Sequence, residues 1–170
     1  MERRNLLQTL LALCAAPALV TRASSVLAAA ADFPPLTKTK DEWQTLLEPA
    51  RFRILFEEDT ERPFSSPLND EKRAGTFVCA ACFLPLFTSS RKYESHTGWP
   101  SFTQPIAGHM DTKRDFKLVL PRTEYHCARC TGHQGHVFND GPAPRGERWC
   151  NNGLALIFVP QGETLPSLRS

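Results

Sequence analysis

Two cysteines and two histidines stand close together in one short segment, and each pair has the spacing of a chemically active group. Cys127 and Cys130 form a Cys-x-x-Cys pair, which His133 and His136 follow as a His-x-x-His pair. Cys150 comes fourteen residues after the last of these histidines, and it is the only cysteine after residue 30 outside a Cys-x-x-Cys pair. We expect the cysteine pair to hold a metal, the histidines to serve a reaction and Cys150 to perform it.

An earlier Cys-x-x-Cys pair, Cys79 and Cys82, brings the number of paired cysteines to four. Two pairs of thiolates suit one tetrahedral zinc ion, so we expect one structural zinc per chain bound by Cys79, Cys82, Cys127 and Cys130. The 44 residues between the pairs exceed the spacing of a compact zinc ribbon, so the ion would join distant parts of the chain. Two short-range disulfides or a redox-active pair are the alternatives.

The neighbours of Cys150 suit a reactive thiol. Arg148 lies two residues before it and Asn152 two residues after it, so in a β-strand the three side chains share one face. A guanidinium on that face favours the thiolate, which is the nucleophilic form. The Asn152 amide could hold a substrate or an imidazole nitrogen. An inert, buried cysteine is the alternative.

The two neighbouring histidines are surplus to an ion that already has four thiolate ligands. We therefore expect His133 and His136 to do acid–base work, because an imidazole exchanges protons near neutral pH. A structural hydrogen bond is the alternative. His96, His109 and His126 have no such grouping, and we expect them on the surface or in packing contacts.

Trp99 stands in the loop-like segment Gly98-Trp99-Pro100-Ser101-Phe102, where the proline restricts the backbone. Packing in the core is the ordinary role of a tryptophan. The alternative is a binding loop, in which the flat indole face contacts a methyl or thioether group.

The first 31 residues have the order of an export signal. Arg3 and Arg4 precede an apolar run from Leu6 to Val20, and small residues follow from Val26 to Ala31. We expect residues 1–31 to be a signal peptide of the twin-arginine type and the protein to be exported, to the periplasm. Ordinary secretion is one alternative. A membrane anchor is another, although its apolar run is shorter than the roughly 20 residues that span a bilayer.

The charge balance excludes a nucleic-acid-binding class. The whole sequence carries 20 basic and 18 acidic residues, and 17 of each remain without residues 1–31. A nucleic-acid partner needs a basic stripe, which is absent from this sequence. We expect a monomer with one domain, residues 32–160, and a loose C-terminal tail, 161–170.

The hydrophobic pattern predicts two helices followed by short strands. Thr39 or Asp41 can cap the first helix, and Pro49 separates it from the second. The apolar positions at helical spacing are Trp43, Leu46 and Leu47, then Phe52, Leu55 and Phe56.

After residue 75, turn residues alternate with short apolar runs, which is typical of strands. We predict strands at Phe116–Leu120 and Glu124–His126, and a last strand, Leu154–Val159, buried on both faces. The predicted fold class is mainly β, an antiparallel domain with short N-terminal helices packed on it.

Seven motifs occur in one order along the chain. They are Arg62-Pro63-Phe64-Ser65-Ser66-Pro67-Leu68-Asn69-Asp70, Cys79-x-x-Cys82, Thr97-Gly98-Trp99-Pro100-Ser101-Phe102, Cys127-x-x-Cys130, His133-x-Gly135-His136-Val137-Phe138, Asp140-Gly141-Pro142 and Arg148-Trp149-Cys150-x-Asn152. With this set, the chain resembles the B-type methionine sulfoxide reductases from about Thr37 to Val159. One Cys-x-x-Cys pair alone would be far less specific.

The resemblance implies reduction of the R epimer of methionine sulfoxide, in proteins or as the free amino acid. The nucleophile would become a sulfenic acid while a protonated histidine gives its proton to the departing oxygen. The resemblance also implies a sandwich-like, β-tent type fold with a four-cysteine zinc remote from the chemistry. The active-site residues it implies are Cys150 as nucleophile, His133, His136, Arg148 and Asn152 around it, and Trp99 and Phe138 against the substrate.

One departure from the family concerns the reductant. Many members have a resolving cysteine where this chain has Thr97, and others have one nearer the N-terminus. Cys14 would be removed with the signal, so no free thiol would remain to form an intramolecular disulfide with Cys150. We expect an external thiol or a thioredoxin-like protein to reduce the sulfenic acid.

Two other functional classes compete with the reductase. A zinc-stabilised β domain that only binds ligands has no use for a thiol facing two imidazoles. Thiol–disulfide exchange through the Cys-x-x-Cys pairs requires that those cysteines carry no metal.

Overall fold

Two short helices begin the part of the chain described by the computed structural model, residues 33–117 and 120–170. The predicted signal peptide lies outside these residues. Helix α1 (Lys40–Leu46) starts at Thr39, whose hydroxyl accepts from the Glu42 amide while the Glu42 carboxylate accepts from the Thr39 amide. This reciprocal cap satisfies two amide groups that a helix start leaves open. Helix α2 (Pro49–Glu57) begins with a proline, which needs no amide partner there.

Nine strands follow in the described residues and form two sheets. They are β1 (Gly75–Cys79), β2 (Pro85–Thr88), β3 (Lys92–Tyr93), β4 (Ser101–Phe102), β5 (Met110–Asp115), β6 (Arg122–Cys127), β7 (His133–Phe138), β8 (Arg148–Asn151) and β9 (Leu156–Pro160). The strand order is β2-β1-β9 in the small sheet and β3-β4-β8-β7-β6-β5 in the large one. All the paired strands are antiparallel. The predicted mainly-β class is confirmed.

Aromatic side chains fill the space between the two sheets. Phe87 of the small sheet stacks on Phe102 of the large sheet, with ring centroids 4.0 Å apart. Phe77 meets the same ring edge-on at 5.0 Å, and Tyr125 approaches Phe87 at 6.3 Å. All four are fully buried. Their contact joins the sheets into a sandwich-like pair.

The helices cover one side of this sandwich. Trp43, Phe52 and Leu55 are buried as predicted, and the Trp43 indole stacks on Phe56 at 4.9 Å. Leu46 is 42% exposed and does not belong to this apolar face. Helix α2 packs against β7 and against a 3₁₀-helix, Gly153–Ala155, that follows β8. No helix among the described residues is long and apolar enough to cross a bilayer.

The predicted strand Phe116–Leu120 is wrong at the residues that the structure describes there, since Phe116, Lys117 and Leu120 belong to no strand. Strand β5 ends at Asp115, which pairs with Arg122 of β6. Phe116 and Leu120 are 72% and 77% exposed. Strand β5 is polar. It lies at the edge of the large sheet, where a strand with one exposed face tolerates charged side chains.

The last strand is also shorter and less buried than predicted. Leu154 and Ala155 belong to the 3₁₀-helix, and β9 begins at Leu156. Leu156 and Val159 are buried, but the residues between them are only half-buried. Strand β9 lies at the edge of the small sheet, where an apolar run need not be covered on both faces.

The C-terminal tail, 161–170, has no helix or strand, yet its end is fastened to the turn that carries the first cysteine pair. The Arg169 side chain donates to the Ala81 carbonyl at 2.6 Å and lies over the Phe83 ring at 4.6 Å. The Arg169 amide donates to the Cys82 carbonyl at 3.1 Å. These contacts do not fit a loose tail.

Candidate active site and cysteine cluster

Strands β7 and β8 bring the candidate nucleophile opposite a histidine. Cys150 pairs with His136 across the two strands, and with Ser101 of β4 on its other side. The backbones of β7 and β8 come unusually close at Gly135, where an added Cβ would lie 1.9 Å from the Cys150 carbonyl oxygen. Only glycine fits at this position.

A bulge in β7 brings the two histidines together. Tyr125 pairs with Gly135 and His126 pairs with His133, so Gln134 has no partner on β6. In a regular strand, residues three apart point to opposite faces, but one extra residue restores the same face. The rings of His133 and His136 are accordingly 5.5 Å apart.

His136 lies within hydrogen-bond distance of a buried carboxylate. Its Nε2 lies 2.8 Å from Oδ2 of Asp115. The same oxygen accepts from Arg122 at 2.6 Å, and Oδ1 of Asp115 accepts from the Lys117 amide at 2.8 Å. The Lys117 amide is the largest cause that holds the pKa of Asp115 well below its usual range. Burial lowers the pKa of His136, and the bond to Asp115 opposes that shift.

His133 is buried more deeply, behind His136. Its Nδ1 lies 2.9 Å from Oε1 of Glu124, and the Lys113 ammonium lies 3.4 Å from the same oxygen. Burial lowers the pKa of His133 despite the carboxylate. Its Nε2 has no hydrogen-bond partner among the described residues.

Arg148 is held beside Cys150 by two neighbours. Its Nε and Nη2 donate to Asp140 at 2.8 and 2.9 Å, and its guanidinium lies over the Phe138 ring at 4.4 Å. Arg148 and Thr97 both favour the Cys150 thiolate, as expected for the guanidinium. Burial outweighs them, however, and raises the pKa of the Cys150 thiol above its usual value. The balance of these effects favours the thiol over the thiolate at Cys150.

The Asn152 amide, expected to hold a substrate or an imidazole nitrogen, binds the main chain instead. It lies just after β8, where its Oδ1 accepts from the Glu61 amide at 3.1 Å and its Nδ2 donates to the Gln134 carbonyl at 3.1 Å. Its side chain therefore connects two segments of main chain.

A small cleft brings most of the candidate residues together. Trp99 is half-buried in its wall, and the indole Nε1 donates to the Glu61 carbonyl at 3.2 Å. The residues that line the cleft are Thr60, Trp99, Arg122, Gly135, His136, Phe138, Cys150, Asn151 and Asn152. His133 and Arg148 are not among them, and each touches a residue that is. The cleft thus places a thiol and an imidazole against two aromatic side chains.

Sequence reasoning missed three carboxylates that hold this arrangement, those of Asp115, Glu124 and Glu61. Asp115 of β5 lies against the His136 imidazole, and Glu124 of β6 lies against the His133 imidazole. Glu61, in the loop after α2, accepts from the Gly153 amide. No short motif joins these residues to their partners. The β5–β6 pairing would have suggested the first two, had its strands been assigned correctly.

The four paired cysteines form a cluster of their own, and Cys150 is not part of it. Their sulfur atoms all lie within 4.8 Å of one another, with 3.7 Å between Cys79 and Cys130 and 3.5 Å between Cys82 and Cys127. A disulfide needs about 2.05 Å. Four thiolates around one ion at about 2.3 Å stand roughly 3.8 Å apart. The cluster therefore has the geometry to hold one metal ion.

Comparisons with known proteins identify the family of this chain. The SelR domain family model matches residues 47–160. Peptide methionine sulfoxide reductase MsrB of Bradyrhizobium diazoefficiens is 48% identical over 125 residues, which cover 73% of this chain and 90% of the relative. The protein of the same description from Pseudomonas putida is 46% identical over 127 residues, which cover 74% and 96%. That of Leptospira interrogans is 46% identical over 124 residues, which cover 72% and 95%.

A crystal structure of the Mis18 'Yippee-like' domain covers 54% of this chain and all of its own, at 19% identity and a TM-score of 0.42. That likeness is too low to bear on fold or function. The match over residues 47–160 and the identities of 46–48% with reductases along most of their length are decisive. The chain belongs to the B-type methionine sulfoxide reductases and is an oxidoreductase.

Proposed function

We propose that the protein reduces the R epimer of methionine sulfoxide, protein-bound or free, with Cys150 as the nucleophile. The observation that carries the proposal is the Cys150 thiol opposite the His136 imidazole, in a cleft walled by Trp99 and Phe138. The relatives are named as peptide methionine sulfoxide reductases, which supports the substrate class.

The reaction starts when the Cys150 thiolate attacks the sulfoxide sulfur. His136 is the proton donor to the departing oxygen because it lines the cleft, whereas His133 lies behind it. In the net exchange the oxygen passes from methionine sulfoxide to Cys150. The substrate sulfur gains two electrons, Cys150 loses two and becomes a sulfenic acid, and methionine leaves.

Epimer choice follows from three fixed contacts around a pyramidal sulfur. The methyl group lies on the Trp99 indole, the oxygen points to His136 and the sulfur faces Cys150. Phe138 packs against the side chain of the substrate, and Arg148 behind it favours the thiolate. Exchanging the methyl group and the oxygen, as in the S epimer, would put the oxygen on the apolar indole, where it loses its proton donor.

Cys150→Ser tests the nucleophile. We expect the wild type to reduce the R epimer of N-acetylmethionine sulfoxide with dithiothreitol, and the serine variant to lose more than about a thousandfold in kcat, since a hydroxyl is a poor nucleophile without a strong base. Chiral chromatography of the remaining substrate measures both. Activity on the S epimer alone, or full activity of the variant, would contradict the proposal.

Asp115→Asn tests the histidine through the pH profile. The reactive form pairs a thiolate with an imidazolium, so kcat/KM rises through the pKa of His136, below its ordinary 6.5, and falls above the raised pKa of Cys150. The Asp115 carboxylate raises the pKa of His136, so its loss lowers that pKa and moves the acid limb of the kcat/KM profile to lower pH. The plateau value of kcat/KM then falls about tenfold for each pH unit by which the His136 pKa falls.

The matched control is Asp111→Asn, an exposed carboxylate on the same strand. Its profile stays that of the wild type. An acid limb of Asp115→Asn that stays in place or moves to higher pH would rule out His136 as the proton donor.

We propose that the cysteine cluster holds a structural zinc ion, because four buried thiolates at these spacings suit that metal. Elemental analysis should find about one zinc per chain. Cys79→Ser should lose the ion and lower the melting temperature, whereas Cys150→Ser, the matched control, should keep it. Full zinc content in Cys79→Ser would count against the site.

We propose that residues 1–31 direct export to the periplasm and that an external thiol or thioredoxin-like protein reduces the Cys150 sulfenic acid. The intact mass of the exported protein should correspond to loss of this segment, and with it Cys14. After one turnover without reductant, the mass should rise by one oxygen on Cys150. A disulfide between Cys150 and Cys79, Cys82, Cys127 or Cys130 would contradict the external reductant.

A further inference from the structure

Glu61 is a buried carboxylate in the loop after α2, outside any helix or strand. Its exposed fraction is 8%, and burial raises its pKa against the hydrogen bonds it accepts. It is not among the residues that line the cleft. A buried acid that costs free energy and takes no part in the chemistry needs another role.

The Glu61 carboxylate holds the chain just beyond the nucleophile. Its Oε1 accepts from the Gly153 amide at 2.5 Å and its Oε2 from the Leu154 amide at 3.0 Å. These amides open the 3₁₀-helix that follows β8 and Asn152. An added Cβ at Gly153 would lie 1.9 Å from Oγ of Ser66, so this segment has little room to shift.

The main chain of Glu61 holds the opposite wall of the cleft. Its carbonyl accepts from the Trp99 indole Nε1 at 3.2 Å, and its amide donates to Oδ1 of Asn152 at 3.1 Å. One residue therefore binds the indole on one side and the segment two residues after Cys150 on the other.

We infer that Glu61 is a positioning residue, which fixes the Trp99 indole at a set distance from the Cys150 thiol without touching the substrate. The inference rests on the proposed function, in which the indole receives the methyl group of the sulfoxide. A methyl group is recognised by contact alone, so its binding depends on where the indole stands. Loss of the carboxylate shifts the loop and the indole with it, whereas Cys150, Arg148 and His136 keep their places.

Glu61→Gln tests this inference in the full-length protein. The glutamine side chain keeps one oxygen acceptor, but its NH₂ group faces the second of the two backbone amides that the carboxylate binds. One hydrogen bond from a backbone amide to a charged group is therefore lost. We expect KM for the R sulfoxide to rise about tenfold while kcat stays within about twofold. The rate at which iodoacetamide alkylates Cys150 stays that of the wild type. The matched control is Glu71→Gln, which removes a carboxylate that accepts from the Arg73 guanidinium, and we expect this variant to keep the wild-type KM.

Trp99→Phe is the second variant, which keeps an aromatic wall and removes the N–H that Glu61 accepts. We expect it also to raise KM with little change in kcat, and Glu61→Gln to add little in its background, because both changes break one connection. If Glu61 only stabilised the fold, Glu61→Gln would have a lower melting temperature, but its KM at temperatures where it is folded would equal that of the wild type.

Unchanged KM in both variants, or a fall in kcat alone, would overturn the inference. Full additivity of the two changes would overturn it as well. A wild-type protein that reduces neither epimer would contradict the proposed function itself, and the inference with it.

Discussion

The contact of β7 with β8 is the constraint on which the site depends. The Gly135 backbone lies against the Cys150 carbonyl so closely that no side chain fits between them. This approach fixes the register in which His136 stands opposite Cys150. Since side chains alternate along a strand, a slip of one residue would turn the imidazole away from the thiol. The bulge at Gln134 is the second part of the same constraint, because it returns His133 to the face of His136.

Burial and charge oppose each other throughout the cleft. Burial raises the pKa of Cys150 and lowers that of both histidines, and so favours a thiol and neutral imidazoles. Arg148, Asp115 and Glu124 work in the opposite direction and keep the charged forms within reach. A thiol that rests protonated is protected from stray oxidation, since the thiolate is the reactive form.

The cysteine cluster and the helices lie outside the cleft and support its strands. The cluster brings together the turn after β1 and the turn before β7, with 44 residues of chain between the two pairs. With the proposed zinc ion bound it would act as a cross-link, and cross-links that close long loops restrict the unfolded chain most. Helix α2 packs on β7, and Arg169 of the tail closes over the first cysteine turn. The site itself is thus made of strands whose ends are fastened elsewhere.

The sequence by itself determined the features that are local in the chain. The Thr39 cap, the two Cys-x-x-Cys pairs and the mainly-β class depend on spacings of a few residues, and the structure contains all of them. The separate motifs in their order were enough to indicate the family before any fold was known.

Only the tertiary structure decided how the distant residues meet. Asp115, Glu124 and Glu61 bind groups from other strands or loops, and register, a bulge and a loop path set these contacts, none of which a short motif records. For the same reason the strand predicted after Asp115 was misplaced, since the paired strand β5 ends at that residue. The balance between burial and charge that sets the pKa of Cys150 also depends on the tertiary structure. The sequence placed a guanidinium beside the sulfur, but the depth of burial, which raises the thiol pKa more than Arg148 lowers it, exists only once the chain is packed.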